Sequence, residues 1–285
     1  MMMKLMMMMI MVVVLSFTMS EIIYSPVSAS GCLFKDLDGT CYGHDLKTKY
    51  FYLNESFCNL NHGSFGTVPK PVFNTQCQYF LEQESFPDTW FRQTYYEYII
   101  TARESIAQLI NADQEDVVLV ENASSAVNSI LRSLGLVTGD KVLRLSTAYG
   151  MVINTLDWLM QTIGIEVIIV EVEFPVIDNS QIIRAVSAAL EENQDVKLCI
   201  FSHISSVPAM IEPVKVLTAL AHQRRALVMI DGAHAPGVVD IDIQEIQADF
   251  YLGNCHKWLF SPKGTAFLYV AKAQQKVFCD VDIYD

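Results

Sequence analysis

The chain has 285 residues, of which 52% are hydrophobic and 18% charged, and its formal net charge is -13. This composition is typical of a globular protein with a sizeable core and excludes a disordered chain. The negative charge argues against nucleic acid and anionic membranes as partners, because both repel an acidic surface.

The first thirty residues predict a secretory signal peptide. Lys4 is the only charged residue among the first twenty, and Leu5–Leu15 is wholly apolar. Such a run is too short to span a bilayer, and Ser28-Ala29-Ser30 offers small residues for cleavage. We therefore expect residues 1–30 to direct the chain to the secretory pathway or outside the cell. An uncleaved anchor and a misassigned start are the alternatives, and without a working signal the chain would be cytoplasmic.

Residues 31–57 are mixed and polar, and we expect an irregular N-terminal arm. Cys32 and Cys41 can close a small loop in an oxidising compartment. Asn54-Glu55-Ser56 is a glycosylation sequon, usable only in a secreted chain. The cysteine spacing matches no zinc motif, so no metal is expected, and Cys199 is expected to be inert core.

Residues 58–285 predict one large α/β domain. A helix is expected from Pro71 to about Gln83, and another after Asp88, along a stripe of core residues that reaches Leu109. Strands and helices then alternate. The expected strands are Val117–Val120, Lys141–Leu145, Glu166–Val172, Lys197–Phe201, Ala226–Ile230, Asp249–Leu252 and Thr265–Val270, and the expected helices are Ala123–Leu134, Tyr149–Ile163, Ser180–Glu192 and Pro213–His222. This alternation predicts a three-layer sandwich around a mostly parallel seven-stranded sheet.

Polar residues follow two adjacent expected strands, at the edge where open α/β sheets bind ligands. One strand is followed by Asp231-Gly232-Ala233-His234 and the other by Asn254-Cys255-His256-Lys257. A partly desolvated lysine is a nucleophilic amine, and a nearby carboxylate can keep a pyridine nitrogen protonated. Pyridoxal 5'-phosphate (PLP) needs both groups. A buried Asp–Lys ion pair without a cofactor is the alternative.

Four further motifs add candidate residues. Asn122-Ala123-Ser124 opens a helix whose N–H groups can bind phosphate, although Asn122 or Ser124 can also be a plain helix cap. Ala148-Tyr149-Gly150 offers a ring for stacking on a heteroaromatic ring or for ordinary packing. Ser202-His203-Ile204-Ser205-Ser206 is a polar cluster at a strand end, and Asn61-His62-Gly63 lies in a glycine-containing turn.

In this order, the motifs resemble the class V aminotransferase family of PLP-dependent enzymes, and within it the isopenicillin N epimerase-like branch. The resemblance covers roughly residues 57–270 and depends on the ordered set, because each motif alone is weak. It implies the large PLP-binding domain of that family, with the C-terminal small domain largely missing from this chain. It also implies a homodimer and an amino acid as the small-molecule substrate.

The resemblance implies a role for each matching position. Lys257 would form the Schiff base with the cofactor and remove the substrate α-proton. Asp231 would pair with the pyridine nitrogen, and His234 would lie near the ring hydroxyl. The remaining implied roles are ring stacking for Tyr149, a contact near the ring oxygen for Ser206, phosphate binding for Ala123, Ser124, Asn254 and His256, and substrate binding for Asn61 and His62.

We therefore expect a PLP-dependent enzyme that acts on an amino acid by α-proton abstraction. Its reaction would be of the epimerase, cysteine lyase/desulfhydrase or aminotransferase type. The alternatives are a PLP-binding fragment or pseudo-enzyme without turnover, because family members bind the substrate carboxylate with the small domain, and a non-enzymatic secreted protein with coincidental motifs.

Overall fold

The structure, a computed structural model, describes residues 35–278. Its helices are α1 (His44–Tyr50), α2 (His62–Phe65), α3 (Lys70–Ser85), α4 (Pro87–Thr89), α5 (Tyr95–Leu109), α6 (Ala123–Ser133), α7 (Gly150–Thr162), α8 (Ser180–Glu192), α9 (Val214–Gln223) and α10 (Ile243–Ile246). Its strands are β1 (Val117–Val120), β2 (Lys141–Leu145), β3 (Glu166–Val170), β4 (Val196–Ser202), β5 (Ile204–Ser205), β6 (Met210–Ile211), β7 (Leu227–Asp231), β8 (Phe250–Asn254) and β9 (Ala266–Val270). The expected signal peptide lies outside the described residues.

The larger of two compact units comprises residues 106–254 and the segment from residue 266 onward, and it contains a seven-stranded sheet. The strand order is β1-β9-β8-β7-β4-β2-β3, in which β9 runs antiparallel to β1 and β8 and every other pair is parallel. The mostly parallel seven-stranded sheet predicted from the sequence is thus confirmed. Each strand begins and ends within two residues of its expected bounds.

Burial along the strands follows their place in the sheet. The inner strands β8 and β9 are buried along their whole length, whereas the edge strands β1 and β3 include exposed residues. A strand covered on both faces needs a continuous apolar run, which explains why the inner strands are so clear in the sequence.

One face of the sheet packs against α6 and α7. Side chains of α6, among them Val127, Ile130 and Leu131, share a core cluster with Val142 of β2 and Ile200 of β4. The cap of α6 is Asn122, whose side chain accepts a hydrogen bond from the backbone N–H of Ser125 at 2.8 Å. The cap interpretation of Asn122 is therefore correct, and the apolar face of α6 positions its N-terminus.

The smaller unit comprises, in its described part, residues 35–105 and 255–265. The prediction of an irregular arm over residues 31–57 is wrong in part, because the arm contains the helix α1. None of the side chains of α1 is buried, so no apolar period announces this helix in the sequence. Polar contacts hold it instead, since Lys49 Nζ and the Tyr50 hydroxyl both donate to a carboxylate oxygen of Asp38 at 3.0 Å.

The stripe expected as one helix after Asp88 is divided. The short helix α4 is followed by a π-helical turn at Trp90–Thr94 and then by α5. Trp90 is almost fully buried and packs with Tyr79 and Tyr98 at ring-centroid distances of 6.0 and 5.7 Å. Trp90 and Tyr98 of the predicted stripe therefore lie in a core cluster, whereas Leu109 at the end of the stripe is 40% exposed.

The cysteines fall into distinct environments. Cys41 is disulfide-bonded, whereas its expected partner Cys32 lies outside the described residues. Cys199 is fully buried and burial raises the pKa of its thiol to about 12, so it stays protonated, as expected for inert core. Within residues 35–278, no helix is long and apolar enough to cross a membrane, and no group of three or more His, Cys, Asp or Glu side chains could hold a metal ion.

Candidate active site

Asp231 lies at the carboxyl edge of the sheet, as the last residue of β7. Its neighbours in register are Ser202 of β4 and Leu252 of β8, and the residue is 5% exposed. Its Oδ1 accepts a hydrogen bond from the Ala233 N–H at 3.0 Å, and its carbonyl oxygen accepts one from the His203 N–H at 2.9 Å. The carboxylate is therefore held at a fixed place between two central strands.

A tyrosine lies behind this carboxylate. Tyr251 of β8 is fully buried, and a Cβ on Gly232 would come within 2.5 Å of its ring, so only glycine fits directly after Asp231. The Tyr251 hydroxyl lies 2.8 Å from Nδ1 of His203. Burial lowers the pKa of His203 to about 4 and raises that of Tyr251 well above its usual range, so both are neutral at neutral pH. His203 is thus a satisfied core histidine.

A second carboxyl group, which the sequence did not predict, lies at this edge. Glu212 is 1% exposed, and its two oxygens accept hydrogen bonds from the Thr147 hydroxyl at 2.9 Å and the Ser202 N–H at 3.0 Å. Its own N–H donates to the His203 carbonyl at 3.0 Å. Burial, with a smaller contribution from the charge of Asp231, raises the pKa of Glu212 to about 8. Glu212 is therefore mostly protonated at neutral pH, and it joins the ends of β2 and β4.

The N-terminus of α6 is tied to the end of β8. The N–H of Ala123 donates to Oδ1 of Asn254 at 2.9 Å, and both residues are buried. Ser124 follows in the first turn of the helix, half-buried. The structure thus brings three of the four expected phosphate-binding residues together at a helix N-terminus, which favours an anion through its N–H groups and dipole.

Three other candidates lie on loops at the same sheet edge. Tyr149 precedes α7 directly and is 51% exposed. Ser206 lies in the turn between β5 and β6, and His234 follows β7 by three residues; both are half-buried. Loops that follow parallel strands emerge at one edge, which explains their common location.

In the smaller unit, Lys257 lies in the segment 255–265, called the lysine loop below. Lys257 is 9% exposed, and its carbonyl oxygen accepts a hydrogen bond from Nε2 of His62 at 2.8 Å. The His62 ring also packs against Trp258 and Phe260 at centroid distances of 5.0 and 4.8 Å. His62, expected to bind substrate, therefore holds the backbone of the lysine loop, while its neighbour Asn61 is exposed.

A glycine next to His62 also supports this loop. Gly66 has a φ of +67°, and a Cβ there would overlap the carbonyl oxygen of His256. Nδ1 of His256 lies 3.0 Å from the carbonyl of Thr265, and burial lowers the pKa of this histidine. Because a carbonyl only accepts, Nδ1 carries the proton of the neutral ring and Nε2 carries the lone pair.

The chain belongs to the class-V aminotransferase family, whose family model, "Aminotransferase class-V", matches residues 67–281. The resemblance inferred from the motifs is thereby confirmed. The family membership indicates PLP as the cofactor, as the sequence predicted.

Several curated relatives are similar over most of the chain. A probable chloroplastic L-cysteine desulfhydrase of Arabidopsis thaliana is 31% identical and is matched over 83% of this chain and 53% of its own length. The isopenicillin N epimerase of Streptomyces clavuligerus is 31% identical over 77% of this chain and 54% of its own length. The chain spans about half the length of these relatives.

Solved structures share the fold. A complex of the cystine C-S lyase C-DES with cysteine persulfide has a TM-score of 0.68 at 21% identity and covers 81% of this chain and 60% of its own. The apo cysteine desulfurase of Thermococcus onnurineus NA1 has a TM-score of 0.67 at 20% identity, over 82% of this chain and 58% of its own. A C-DES mutant, with a TM-score of 0.67, carries glycine covalently linked to its PLP cofactor.

The donor set of the chain fits PLP in each unit taken by itself. The sheet edge offers a buried carboxylate for a protonated ring nitrogen and, at α6, a helix N-terminus for a phosphate. The lysine loop offers a largely buried primary amine for the aldehyde.

Proposed function

We propose that this chain is a PLP-dependent enzyme that acts on an amino acid by abstraction of its α-proton. The observation that carries the proposal is the buried carboxylate of Asp231, fixed at the carboxyl edge of the sheet in a chain of the class-V aminotransferase family. Bound PLP supplies an electron sink for the negative charge that the loss of an α-proton leaves behind. The task of Asp231 is to keep a proton on the ring nitrogen.

Lys257 is assigned the covalent link to the cofactor and, as a free amine, the transfer of the α-proton. It follows the last residue of β8, Asn254, by three positions, and three residues span at most about 11 Å. Its small exposure leaves little water to compete for the amine. The hydrogen bond from His62 to its carbonyl fixes the backbone from which the side chain reaches.

The other candidates take supporting roles in this proposal. The N-terminus of α6, with Ala123 and Ser124, holds the phosphate together with Asn254, whose side chain orients the first turn. The ring of Tyr149 stacks on the cofactor. The remaining assignments are contacts to the ring oxygen for His234 and Ser206, and substrate binding for Asn61 and His62.

The protonation state of His256 is expected to change when the cofactor binds. Its neutral ring presents a lone pair at Nε2, which cannot donate to a phosphate. A phosphate dianion next to the ring raises its pKa, so we expect cofactor binding to take up a proton at neutral pH. Calorimetry in two buffers with different ionisation heats measures this uptake, and His256→Gln should abolish it. Identical binding heats in both buffers for the native chain would remove His256 from the phosphate site.

The names of the relatives guide the choice of substrate. They include L-cysteine desulfhydrases and an epimerase, so return of the proton to the opposite face and loss of a β-substituent are both open to this site, beside transamination. L-cysteine is the first amino acid to test. We also propose a homodimer, as family membership suggests, and sedimentation of the full chain with PLP measures it.

Absorption and labelling test the proposal. Added PLP should give a visible band, and borohydride should fix the cofactor on the peptide that contains Lys257. The exposed Lys263 of the same loop is an internal control, because a label there shows non-specific modification. Lys257→Ala should lose the fixed label, and a native chain labelled equally elsewhere would refute the assignment.

Exchange of the α-proton separates binding from chemistry. In heavy water, the loaded chain should exchange the α-proton of L-cysteine or of another amino acid, and proton NMR follows the loss of that signal. A chain that binds PLP on Lys257 and exchanges no amino acid would be a cofactor-binding fragment.

A further inference from the structure

The chain contains two Asn-x-Ser sequons, which lie in opposite environments. Asn54-Glu55-Ser56 is in the N-terminal arm, and all three residues are exposed. Asn122-Ala123-Ser124 forms the cap and first turn of α6, where Ala123 is buried and the other two residues are half-buried. Glycans are bulky and require a surface loop. Only the first sequon meets that requirement in the folded chain.

The side chain of Asn54 is oriented by its own sequon. Its Oδ1 accepts hydrogen bonds from the Ser56 N–H at 2.9 Å and from the Ser56 hydroxyl at 2.7 Å. Within residues 35–278, Nδ2 of Asn54 makes no hydrogen bond, and the residue is exposed. The amide nitrogen, which is the atom that a glycan would occupy, thus faces solvent while the amide oxygen is satisfied.

The backbone around Asn54 is held in a defined turn. Nζ of Lys47, in α1, donates to the carbonyl oxygens of Asn54, Glu55 and Phe57 at 3.2, 2.9 and 3.1 Å. The N–H of Phe57 also donates to the Asn54 carbonyl at 3.1 Å. The turn therefore holds the backbone at Asn54 while the residue stays exposed.

Two observations from the same end of the chain indicate an oxidising compartment. Cys41 is disulfide-bonded, and such bonds persist in the secretory pathway but rarely in the cytosol. The apolar run Leu5–Leu15 with the small residues that follow it matches a secretory leader. Cys41, the leader pattern and the exposed sequon all lie within the first 56 residues.

We propose that Asn54 is an N-glycosylation site of this protein and that Asn122 is not. The co-reactant is an oligosaccharide linked to a lipid through a diphosphate. Nδ2 of Asn54 attacks the anomeric carbon of the sugar, a carbon–nitrogen bond forms, and the bond from that carbon to the diphosphate breaks. The lipid diphosphate leaves with the electron pair, and Nδ2 loses one proton.

Expression of the full chain, with its own N-terminus, in a eukaryotic secretory host tests the proposal. Peptide N-glycosidase should increase the gel mobility of the native chain, and digestion in heavy-oxygen water should mark Asn54 in the peptide map. Asn54→Gln and Ser56→Ala should both remove the shift. Ser56→Thr is the matched control, because it keeps a hydroxyl and therefore keeps the glycan.

Asn122→Gln distinguishes the two sequons and should leave the mobility unchanged. A glycan mapped to Asn122, or a secreted chain with an unmodified Asn54, would overturn the proposal. A chain that remains in the cytosol of that host would also overturn it, because the co-reactant is absent there. None of these outcomes bears on cofactor binding, which is measured separately by absorption.

Discussion

The sheet edge and the lysine loop supply chemistry in different ways. At the sheet edge, strands place the functional groups, and the side chains of Glu212, Asn254 and Tyr251 hydrogen-bond to other side chains or to nearby backbone. In the lysine loop, backbone carbonyl groups make the contacts. The Lys257 carbonyl accepts a hydrogen bond from His62, and the His256 carbonyl lies against Gly66. Regular structure therefore fixes the first region, while close contact with the N-terminal segment fixes the second.

The largest expected effect is a loss of catalysis at the sheet edge. Asp231→Asn keeps the shape and still accepts from the Ala233 N–H, but it removes the negative charge. We expect α-proton exchange to fall by about 10²–10⁴-fold while PLP remains bound, since the phosphate contacts are untouched. NMR exchange and absorption titration measure the two quantities. The exposed Asp240→Asn is the control, and equal exchange rates in both variants would exclude Asp231 as the ring partner.

The lysine loop should be sensitive to one added methyl group. Gly66→Ala strains a positive φ and also forces the His256 carbonyl to move. We expect the free energy of unfolding to fall by roughly 3 kcal/mol, with a lower yield of borohydride label on Lys257. Denaturant titration measures the first effect.

Gly39→Ala is the matched control for that change. Gly39 also has a positive φ, +80°, but a Cβ there meets no atom within 4 Å. Gly39→Ala should therefore lower the free energy of unfolding by only about 1 kcal/mol and leave the borohydride label on Lys257 unchanged. Equal costs at both glycines would show that backbone strain alone, and not the contact with His256, determines the effect.

The raised pKa of Glu212 predicts a pH dependence of stability. The pKa of Glu212 is raised to about 8 from 4.5. Its contribution to the free energy of unfolding is therefore complete below pH 4.5 and is lost as the pH rises through 8. Between pH 6 and 9 the native chain should lose roughly 2–3 kcal/mol of unfolding free energy from this group. Glu212→Gln stays neutral, so its stability should fall less over the same range.

Denaturant titrations at both pH values measure this difference, with the exposed Glu245→Gln as control. The unfolding free energy of that control should change with pH as steeply as that of the native chain. A Glu212→Gln variant with the native slope would mean that Glu212 is already ionised at pH 6.

The smallest expected effect concerns the support behind Asp231. Tyr251→Phe removes the hydroxyl that lies 2.8 Å from His203 and leaves that ring nitrogen buried without its partner. We expect a loss of about 1–2 kcal/mol in unfolding free energy. If the variant loses exchange activity as strongly as Asp231→Asn, then Tyr251 acts on the site directly rather than as support.

The sequence predicted the sheet edge well because its signals are local. Apolar runs mark the strands, and polar residues such as Asp231 and Asn254 follow them within a few positions. Glu212 was missed because it lies beyond a two-strand hairpin, and its partner Thr147 is 65 positions away. The helix α1 was missed because it buries no side chain.

The support of the lysine loop was beyond the reach of sequence patterns. No signal in the sequence distinguishes Gly66 from an ordinary turn glycine, because its constraint comes from His256, far along the chain. Likewise His62 contacts the carbonyl of Lys257 across 195 positions. No periodicity or spacing encodes such pairs, whereas the strand before Lys257 made this residue a candidate.

The pairing of β8 with β9 has a further consequence for Lys257. Asn254 and Ala266 are direct partners in this antiparallel pair, so both ends of the lysine loop are pinned about one strand spacing apart. The Cα of Lys257 is thus tethered to within about 11 Å of the Cα of Asn254. Because the side chain adds about 6 Å to the reach of its amine, the effective concentration of that amine is on the order of 0.1 M. Under the proposed function, this tether favours Lys257 over free amines in solution.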